Sequence, residues 1–323
     1  MDAMQILDLP SEILLNIVKL LECVDICAIR YTNSHLKHLC DNESVWISKA
    51  KSDFCVRLKA GESSVSPRVY YQNVLYKFGP MIGLWQRQNL KFYSGLLKVS
   101  YADRIVTFEN LVPTSDIFSP LKCLKFLSVA LSDDGSLLIH SHDRMTSTKK
   151  VRINLNVQNS ESTLEIINSN MKDYITSPAE WRELLEEFKS WDTSQDSELA
   201  LMKFVSLYHS RTMFSYKRLY LPRCHLNPIR RCPLRPGLFK GSYGGHGVEL
   251  VKLVQVVKGS MMGTYGVKVT GDPNVPFNEV TFQILAEDCL SIPFDMQKTV
   301  NGIRSSMMDN ITVPYQVDTW KFQ

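Results

Sequence analysis

Apolar residues near the start of the chain recur at the spacing of an amphipathic helix. They lie three and four positions apart from Ile13 onward, directly after Pro10, and proline is favoured at the start of a helix. Asp25 and Asp41 are placed to cap further short helices. The pattern predicts a small all-α module over residues 4–54. Because such a module has a small core, we expect a partner protein to cover part of its surface.

The apolar pattern changes after this module. Residues 55–89 keep helical spacing and predict a helical connector, whereas short alternating runs follow, with an Asp-Gly hairpin signal at residues 133–135. These runs predict an antiparallel β-barrel-like domain over residues 90–290, interrupted by a helical insertion at about residues 177–208. Residues 291–323 form a divergent tail. Either residues 313–317 and Trp320 close the barrel in a different way, or the end is altered and the pocket is incomplete. The predicted fold class is α+β.

The helical module resembles an F-box. The run LPSEILLNIVKLLECVDICAIRYTNSHLKHLCDNESVWISKAKSDF carries the opening Leu9-Pro10-x-Glu12, an apolar stripe and a tryptophan after an acidic turn. In that family the stripe docks on the Skp adaptor of a cullin-RING ubiquitin ligase. The resemblance implies these adaptor-binding residues: Leu9, Pro10, Ile13, Leu14, Ile17, Leu20 and Trp46. The alternative is an ordinary helical core without a partner.

Further runs are similar to the family of F-box only protein thirty-one. They are RPGLFKGSYGGHGVELV from residue 235, KVTGDPNVP from residue 268, GLWQ from residue 83 and LMKF from residue 201. The resemblance covers roughly residues 5–287 and implies a noncatalytic substrate receptor whose barrel captures the C-terminus of a client. D-type cyclins and proteins that end in an amide are the client classes of that family.

The same resemblance implies the client-binding residues. Lys268 and Asp272 are the polar contacts, and Thr270, Phe239, Tyr243 and His246 accompany them. A lysine ammonium can pair with a terminal carboxylate, and an aspartate can accept a hydrogen bond from an amide N–H. The run from Gly271 to Asn274 is also typical of a tight turn, so a capped hairpin is the alternative.

Composition limits the other function classes. The 323 residues have a net charge of +4 and 44% hydrophobic content, which excludes a collagen-like or disordered chain. The stretch from Lys203 to Lys268 holds twelve basic residues and one acid, Glu249, and therefore attracts anions. We interpret it as a site for a polar peptide end. The alternatives are a solvated basic face, a nucleic-acid surface, and a small-ligand barrel with Glu249, His246 and Asp272 in a cavity.

No cofactor, metal or membrane segment is predicted. The eight cysteines form no paired CxxC and are interpreted as reduced thiols. The family carries a structural zinc, but the corresponding interval here offers only His140 and His142, and the Cys224, His225 and Cys232 group has no common zinc spacing. Without a secretory signal or a long apolar run, the chain is expected to be soluble and intracellular. The family resemblance implies the cytoplasm and nucleus.

Overall fold

The computed structural model describes most of the chain. The described ranges are residues 6–61, 64–88, 92–142, 151–158, 161–168, 178–190, 192, 197–209, 213–220, 236–258 and 261–285. All statements below concern these ranges.

The N-terminal module is helical, as predicted. Its helices are α1 (Ser11–Leu20), α2 (Cys23–Ile29), α3 (Ser34–Cys40) and α4 (Glu43–Phe54). Asparagines cap α3 and α4: the Asn33 side chain accepts a hydrogen bond from His35 N at 2.7 Å, and the Asn42 side chain accepts one from Ser44 N at 2.9 Å.

The two predicted aspartate caps are wrong. Asp25 lies inside the first turn of α2. Asp41 follows the last residue of α3, where Arg30 Nε donates to its carboxylate at 2.7 Å and Arg68 donates to it at 2.6 Å. The two guanidinium groups hold the pKa of Asp41 below its usual range, against a smaller opposing effect of burial. Asp41 therefore ties the module to the connector instead of capping a helix.

The connector is a helix that changes its winding. It runs through α5 (Pro67–Tyr70), a π-helical segment (Tyr71–Leu75) and α6 (Tyr76–Phe78), and a 3-10 turn (Gly79–Met81) ends it. The first strand, β1, begins at Gly83, so the predicted helical connector is too long at its C-terminal end. The error has a physical reason: this strand is buried on consecutive positions and shows no alternation in sequence.

The β domain consists of two antiparallel sheets. The eight-stranded sheet has the order β5-β4-β3-β2-β1-β8-β7-β6, and the four-stranded sheet has the order β12-β11-β10-β9. Their strands are β1 (Gly83–Arg87), β2 (Leu96–Ala102), β3 (Ile105–Val112), β4 (Lys122–Leu131), β5 (Leu137–Ser141), β6 (Val151–Gln158), β7 (Glu161–Asn168), β8 (Met213–Arg218), β9 (Gly237–Ser242), β10 (Val248–Lys258), β11 (Met261–Lys268) and β12 (Val280–Leu285). No ladder joins β5 to β6 within the described residues, so the predicted barrel is an open, curled half-barrel.

The predicted helical insertion is present between β7 and β8. It consists of α7 (Pro178–Lys189) and α8 (Ser197–His209). Phe188 of α7 and Phe204 of α8 are both buried, and their ring centroids lie 5.4 Å apart. The α+β class is therefore confirmed, with a helical module followed by a curled antiparallel sheet and inserted helices.

One apolar core joins the helical module to the large sheet. It contains Ile26 and Trp46 of the module, Tyr71 of the connector, and Trp85 and Val129 of the sheet. The two sheets meet at a second cluster, in which Leu84 and Leu96 pack with Leu250. Continuous packing of this kind fixes the helical module against the sheet.

Candidate functional site

Helix α1 has two neighbouring apolar stripes. Leu14 and Val18 point into the module and are buried. Ile13, Ile17 and Leu20 repeat at i, i+4 and i+7, one residue behind the buried stripe, which places them on an adjacent face of the same helix. Ile13 is 47% exposed and Leu20 is 85% exposed. We call Ile13, Ile17 and Leu20 the α1 face.

Residues close to α1 along the chain expose further apolar side chains. Leu7, Val24 and Tyr31 are exposed, and so is Pro10, while Leu9 is half-buried. Single exposed apolar residues are ordinary, but this number within one small helical module is typical of a protein-binding surface.

Two residues predicted as adaptor contacts are core residues instead. Trp46 is 0% exposed, its Nε1 donates to Cys40 O at 2.7 Å, and its ring centroid lies 5.3 Å from that of Tyr71. Leu14 is also buried. Sequence spacing could not separate them from the α1 face because two apolar stripes lie side by side on α1, and because the connector that covers Trp46 is remote in sequence.

The predicted client-binding residues come together in the four-stranded sheet. Lys268, at the end of β11, is 1% exposed, and its Nζ donates a hydrogen bond to Asp272 Oδ2. The ammonium also lies 4.1 Å from the ring centroid of Tyr243, a cation–π distance. A lysine has three N–H donors, and among the described residues its hydrogen bond goes to Asp272 alone.

The turn after β11 fixes Asp272. Gly271 has φ +70°, and a Cβ there would lie 2.3 Å from Phe277 N and 2.5 Å from Phe92 O, so only glycine fits. Asp272 Oδ1 accepts hydrogen bonds from Asn274 N at 2.8 Å and from Val275 N at 2.9 Å. The capped turn and the ion pair therefore coexist. Burial opposes ionisation of Asp272, but the bonds from Lys268 and the turn outweigh it and lower the pKa.

Glu249 is a third charged group at this position. It lies on β10, is buried, and accepts a hydrogen bond from the Thr270 hydroxyl, which itself accepts one from Leu250 N at 3.0 Å. Burial raises the pKa of Glu249 to about 7, although Lys203, Thr270 and Lys268 act in the opposite direction. Near neutral pH both the protonated and the ionised form of this carboxyl are therefore populated.

Two more elements contribute to the same cluster. Tyr93, which precedes β2, is 4% exposed, and its hydroxyl has no hydrogen-bond partner among the described residues. Burial, followed by Glu249, Asp272 and Asp192, raises its pKa to about 12, so these carboxylates lie near it. Lys203 of α8 pairs with Asp192 at 2.9 Å, and both side chains are buried. We define the polar cluster by its members: Tyr93, Asp192, Lys203, Glu249, Lys268, Thr270 and Asp272.

More exposed residues border the polar cluster. Tyr243 is half-buried beside Lys268, and His246 Nε2 lies 2.9 Å from Asn274 Nδ2. Phe239 differs from the other predicted client contacts because it is buried in an apolar cluster with Val251, against which Tyr243 packs. We therefore interpret Phe239 as a support for Tyr243.

The described half of the basic stretch is largely occupied by contacts within the protein. Six of its twelve basic side chains are described, namely Lys203, Lys217, Arg218, Lys240, Lys252 and Lys268. Lys217 pairs with Glu161 at 2.7 Å, Lys240 donates to Asp116 O at 3.0 Å, and the Arg218 guanidinium lies 4.6 Å from the Trp85 ring. With Lys203 and Lys268 paired inside the polar cluster, this part of the stretch does not form a continuous basic surface.

Comparison with known proteins agrees with the division of the chain into a helical module and a β domain. The F-box domain family matches residues 6–48, and the family described as cyclin D1 binding domain matches residues 216–316. The chain is 26% identical over 307 residues to F-box only protein 31 of Rattus norvegicus, covering 89% of this chain and 57% of that protein. It is 24% identical over 322 residues to F-box only protein 31 of Homo sapiens, with 94% and 57% coverage.

The chain is similar to F-box only protein 31 over most of its length. A third relative, F-box only protein 31-A of Xenopus laevis, is 26% identical over 297 residues, which cover 85% of this chain and 53% of that protein. The chain thus spans a little over half the length of the curated relatives it matches. The α1 face lies in the region that the F-box domain family matches. Glu249, Lys268 and Asp272 lie in the region that the cyclin D1 binding domain family matches.

Sequence reasoning missed Tyr93 and the Lys203–Asp192 pair as members of the polar cluster. Both lie outside the matched cyclin D1 binding domain, and only the fold brings them to β10 and β11. For Tyr93 three hydrogen bonds carry this link: Ser94 N donates to Thr270 O at 2.6 Å, Phe277 N donates to Phe92 O at 3.1 Å, and Gln86 Nε2 donates to Val269 O at 2.9 Å. Glu249 could be singled out from the sequence because it is the single acidic residue of the basic stretch.

The predictions about metal sites and membrane segments can be compared with the described residues only. The Cys224, His225 and Cys232 group lies outside the described residues, and the described residues hold no group of three metal-ligating side chains. No helix in the described part of the chain has the length and apolarity needed to cross a membrane.

Proposed function

We propose that this protein is a noncatalytic substrate receptor of an SCF-type ubiquitin ligase. It binds a Skp-family adaptor, and through it the cullin-RING core, with its F-box. It binds the C-terminus of a client with its β domain, so that the client is ubiquitinated and degraded. We also propose that the protein acts in the cytoplasm and nucleus, as the family resemblance implies.

The observation that carries the adaptor half is the α1 face. Ile13 and Leu20 are exposed although the helix behind them is well packed, so they add little to the stability of the isolated chain. Burial of each would contribute about 1.5 to 3 kcal/mol to a complex. An apolar partner groove explains why these positions are not polar.

The polar cluster supports the client half. A peptide end presents a carboxylate or a primary amide, and both groups need several hydrogen bonds when they leave water. Lys268, Asp272 and the Tyr93 hydroxyl supply donors and acceptors close to one another in a buried environment. The family description of a cyclin D1 binding domain makes a D-type cyclin the first client to test.

The adaptor half is tested by co-purification. The chain and the Skp adaptor are co-expressed, and the variant Ile13→Asp/Leu20→Asp is compared with Lys51→Glu, which changes the net charge equally at an exposed position of α4. We expect the adaptor with the wild type and the control but not with the double variant. Absence of the adaptor from all three samples would refute the receptor function.

The client half is tested with peptides. A peptide from the C-terminus of cyclin D1 is offered as its free acid, as its C-terminal amide, and with several residues added after its end. We expect the first two to bind and the extended peptide to fail, since the cluster is buried. Equal affinity for the extended peptide would exclude capture of a chain end.

A further inference from the structure

The polar cluster contains one carboxyl group more than it contains cations. Lys203 pairs with Asp192, and Lys268 pairs with Asp272. Glu249 is the remaining carboxyl group, and among the described residues its hydrogen bond comes from the neutral Thr270 hydroxyl. A buried carboxylate without a cation of its own is costly, so its charge depends on what else enters the site.

We propose that Glu249 selects the chemical form of the client's C-terminus. This inference rests on the proposed capture of a chain end by the polar cluster. Ionised Glu249 accepts an N–H hydrogen bond from a terminal amide, whereas a free terminal carboxylate enters the cluster together with a proton on Glu249. The protein therefore discriminates amide from acid ends according to pH.

The hydrogen-bonding capacities of the two ends support the selection. A primary amide has two N–H donors and one carbonyl acceptor, and an ionised carboxylate has acceptors only. The amide can satisfy the Glu249 carboxylate and still accept a hydrogen bond from the partnerless Tyr93 hydroxyl. A carboxylate facing an ionised Glu249 would place two like charges together in a buried site.

The groups around Glu249 do not remove this repulsion. Lys203 reaches it from α8, Lys268 from β11, Asp272 from the following turn, Tyr93 from the residues before β2 and Tyr243 from the end of β9. Both lysines already pair with other carboxylates, Asp272 is itself an anion, and both phenols are neutral below about pH 10. A proton on Glu249 is therefore the means by which the cluster accepts another negative charge.

Binding measurements at several pH values test the selection. The free-acid and amide forms of the cyclin D1 C-terminal peptide are titrated into the full chain between about pH 6 and about pH 9. We expect the Kd of the acid form to rise up to tenfold per pH unit at the alkaline end, because one proton must be taken up with the peptide. The Kd of the amide form should fall as Glu249 ionises toward neutral pH and then change by less than about threefold up to about pH 9.

Two further measurements separate selection from a change in fold. In Glu249→Gln the pH dependence of the acid form should disappear, whereas in Glu279→Gln, which removes an exposed carboxylate nearby, it should persist. On the wild type, calorimetry in two buffers of different ionisation enthalpy should report about one proton taken up with the acid form near pH 8 and none with the amide form. This second measurement needs no variant.

The outcomes distinguish this inference from the function on which it rests. Binding of both peptide forms with the same pH dependence, or no proton uptake with the acid form, would overturn selection by Glu249 while leaving end capture intact. Failure of both forms to bind at every pH would overturn end capture and the selection with it.

Discussion

The α1 face and the polar cluster are built on opposite principles. On α1, apolar side chains stay in water, and Leu20 is 85% exposed. In the cluster, charged groups are removed from water, and Lys268 is 1% exposed. The first region loses nothing when it is made polar in the free protein, and the second cannot change one partner without stranding the other. Binding can therefore be separated from folding at the F-box but is coupled to folding and protonation in the β domain.

The largest expected effect is on adaptor binding. Replacing Ile13 and Leu20 by aspartate removes two apolar contacts worth about 1.5 to 3 kcal/mol each, so adaptor affinity should fall at least about 100-fold. The free energy of unfolding should change by less than about 1 kcal/mol because both side chains are exposed. Binding to immobilised adaptor measures the affinity, and urea unfolding of the same samples measures the free energy of unfolding. A large loss of stability would show that the two regions are not built differently.

The second effect concerns stability at the polar cluster. Lys268→Met leaves Asp272 as a buried, unpaired charge and should cost about 3 to 5 kcal/mol in the free energy of unfolding. The matched control is Lys217→Met, which breaks an exposed pair with Glu161 and should cost about 1 kcal/mol or less. Adding Asp272→Asn to Lys268→Met should recover part of the loss, since an asparagine oxygen still caps the turn. Equal losses at Lys268 and Lys217 would contradict the burial argument.

Much of the division between the two regions could be predicted from the sequence, for definable reasons. The i, i+4, i+7 spacing of Ile13, Ile17 and Leu20 is local, so the helix face follows from neighbouring residues. Lys268 and Asp272 were predicted from the family resemblance, and their ion pair with each other was not predicted. Tyr93, Lys203 and Trp46 depend on contacts with elements far along the chain. The half-barrel also could not be distinguished from a closed barrel, because strand order is not encoded in the alternation of any one strand.

The third expected effect is a pH dependence of the free energy of unfolding that arises in the polar cluster and not at the α1 face. The pKa of Glu249 is raised to about 7 by burial, above its ordinary value, so the native state binds more protons than the unfolded state. Its contribution to stability is complete below about pH 4 and is lost as the pH rises through about 7. We expect roughly 2 kcal/mol of loss between about pH 5 and about pH 7, and a flatter profile in Glu249→Gln. Urea unfolding across this range measures it; an unchanged slope in the variant would argue against Glu249 as the titrating group.

The smallest effect tests the reassignment of Trp46. Trp46→Phe keeps a ring against Tyr71 but removes the hydrogen bond to Cys40 O, which should cost about 1 to 2 kcal/mol of stability. Adaptor affinity of the folded variant should stay within about threefold of the wild type, because this side chain does not reach the surface. A strong loss of adaptor affinity without a loss of stability would return Trp46 to the binding surface.

The central claim is that one chain joins an adaptor to a client's C-terminus. Sedimentation velocity with a fluorescent cyclin D1 C-terminal peptide tests it most directly, in mixtures of the chain and the Skp adaptor. We predict that the label sediments with a complex of all three components, that Ile13→Asp/Leu20→Asp reduces it to peptide and chain, and that an extended peptide stays free. Free label in every mixture, or an extended peptide that sediments with the complex, would contradict the account.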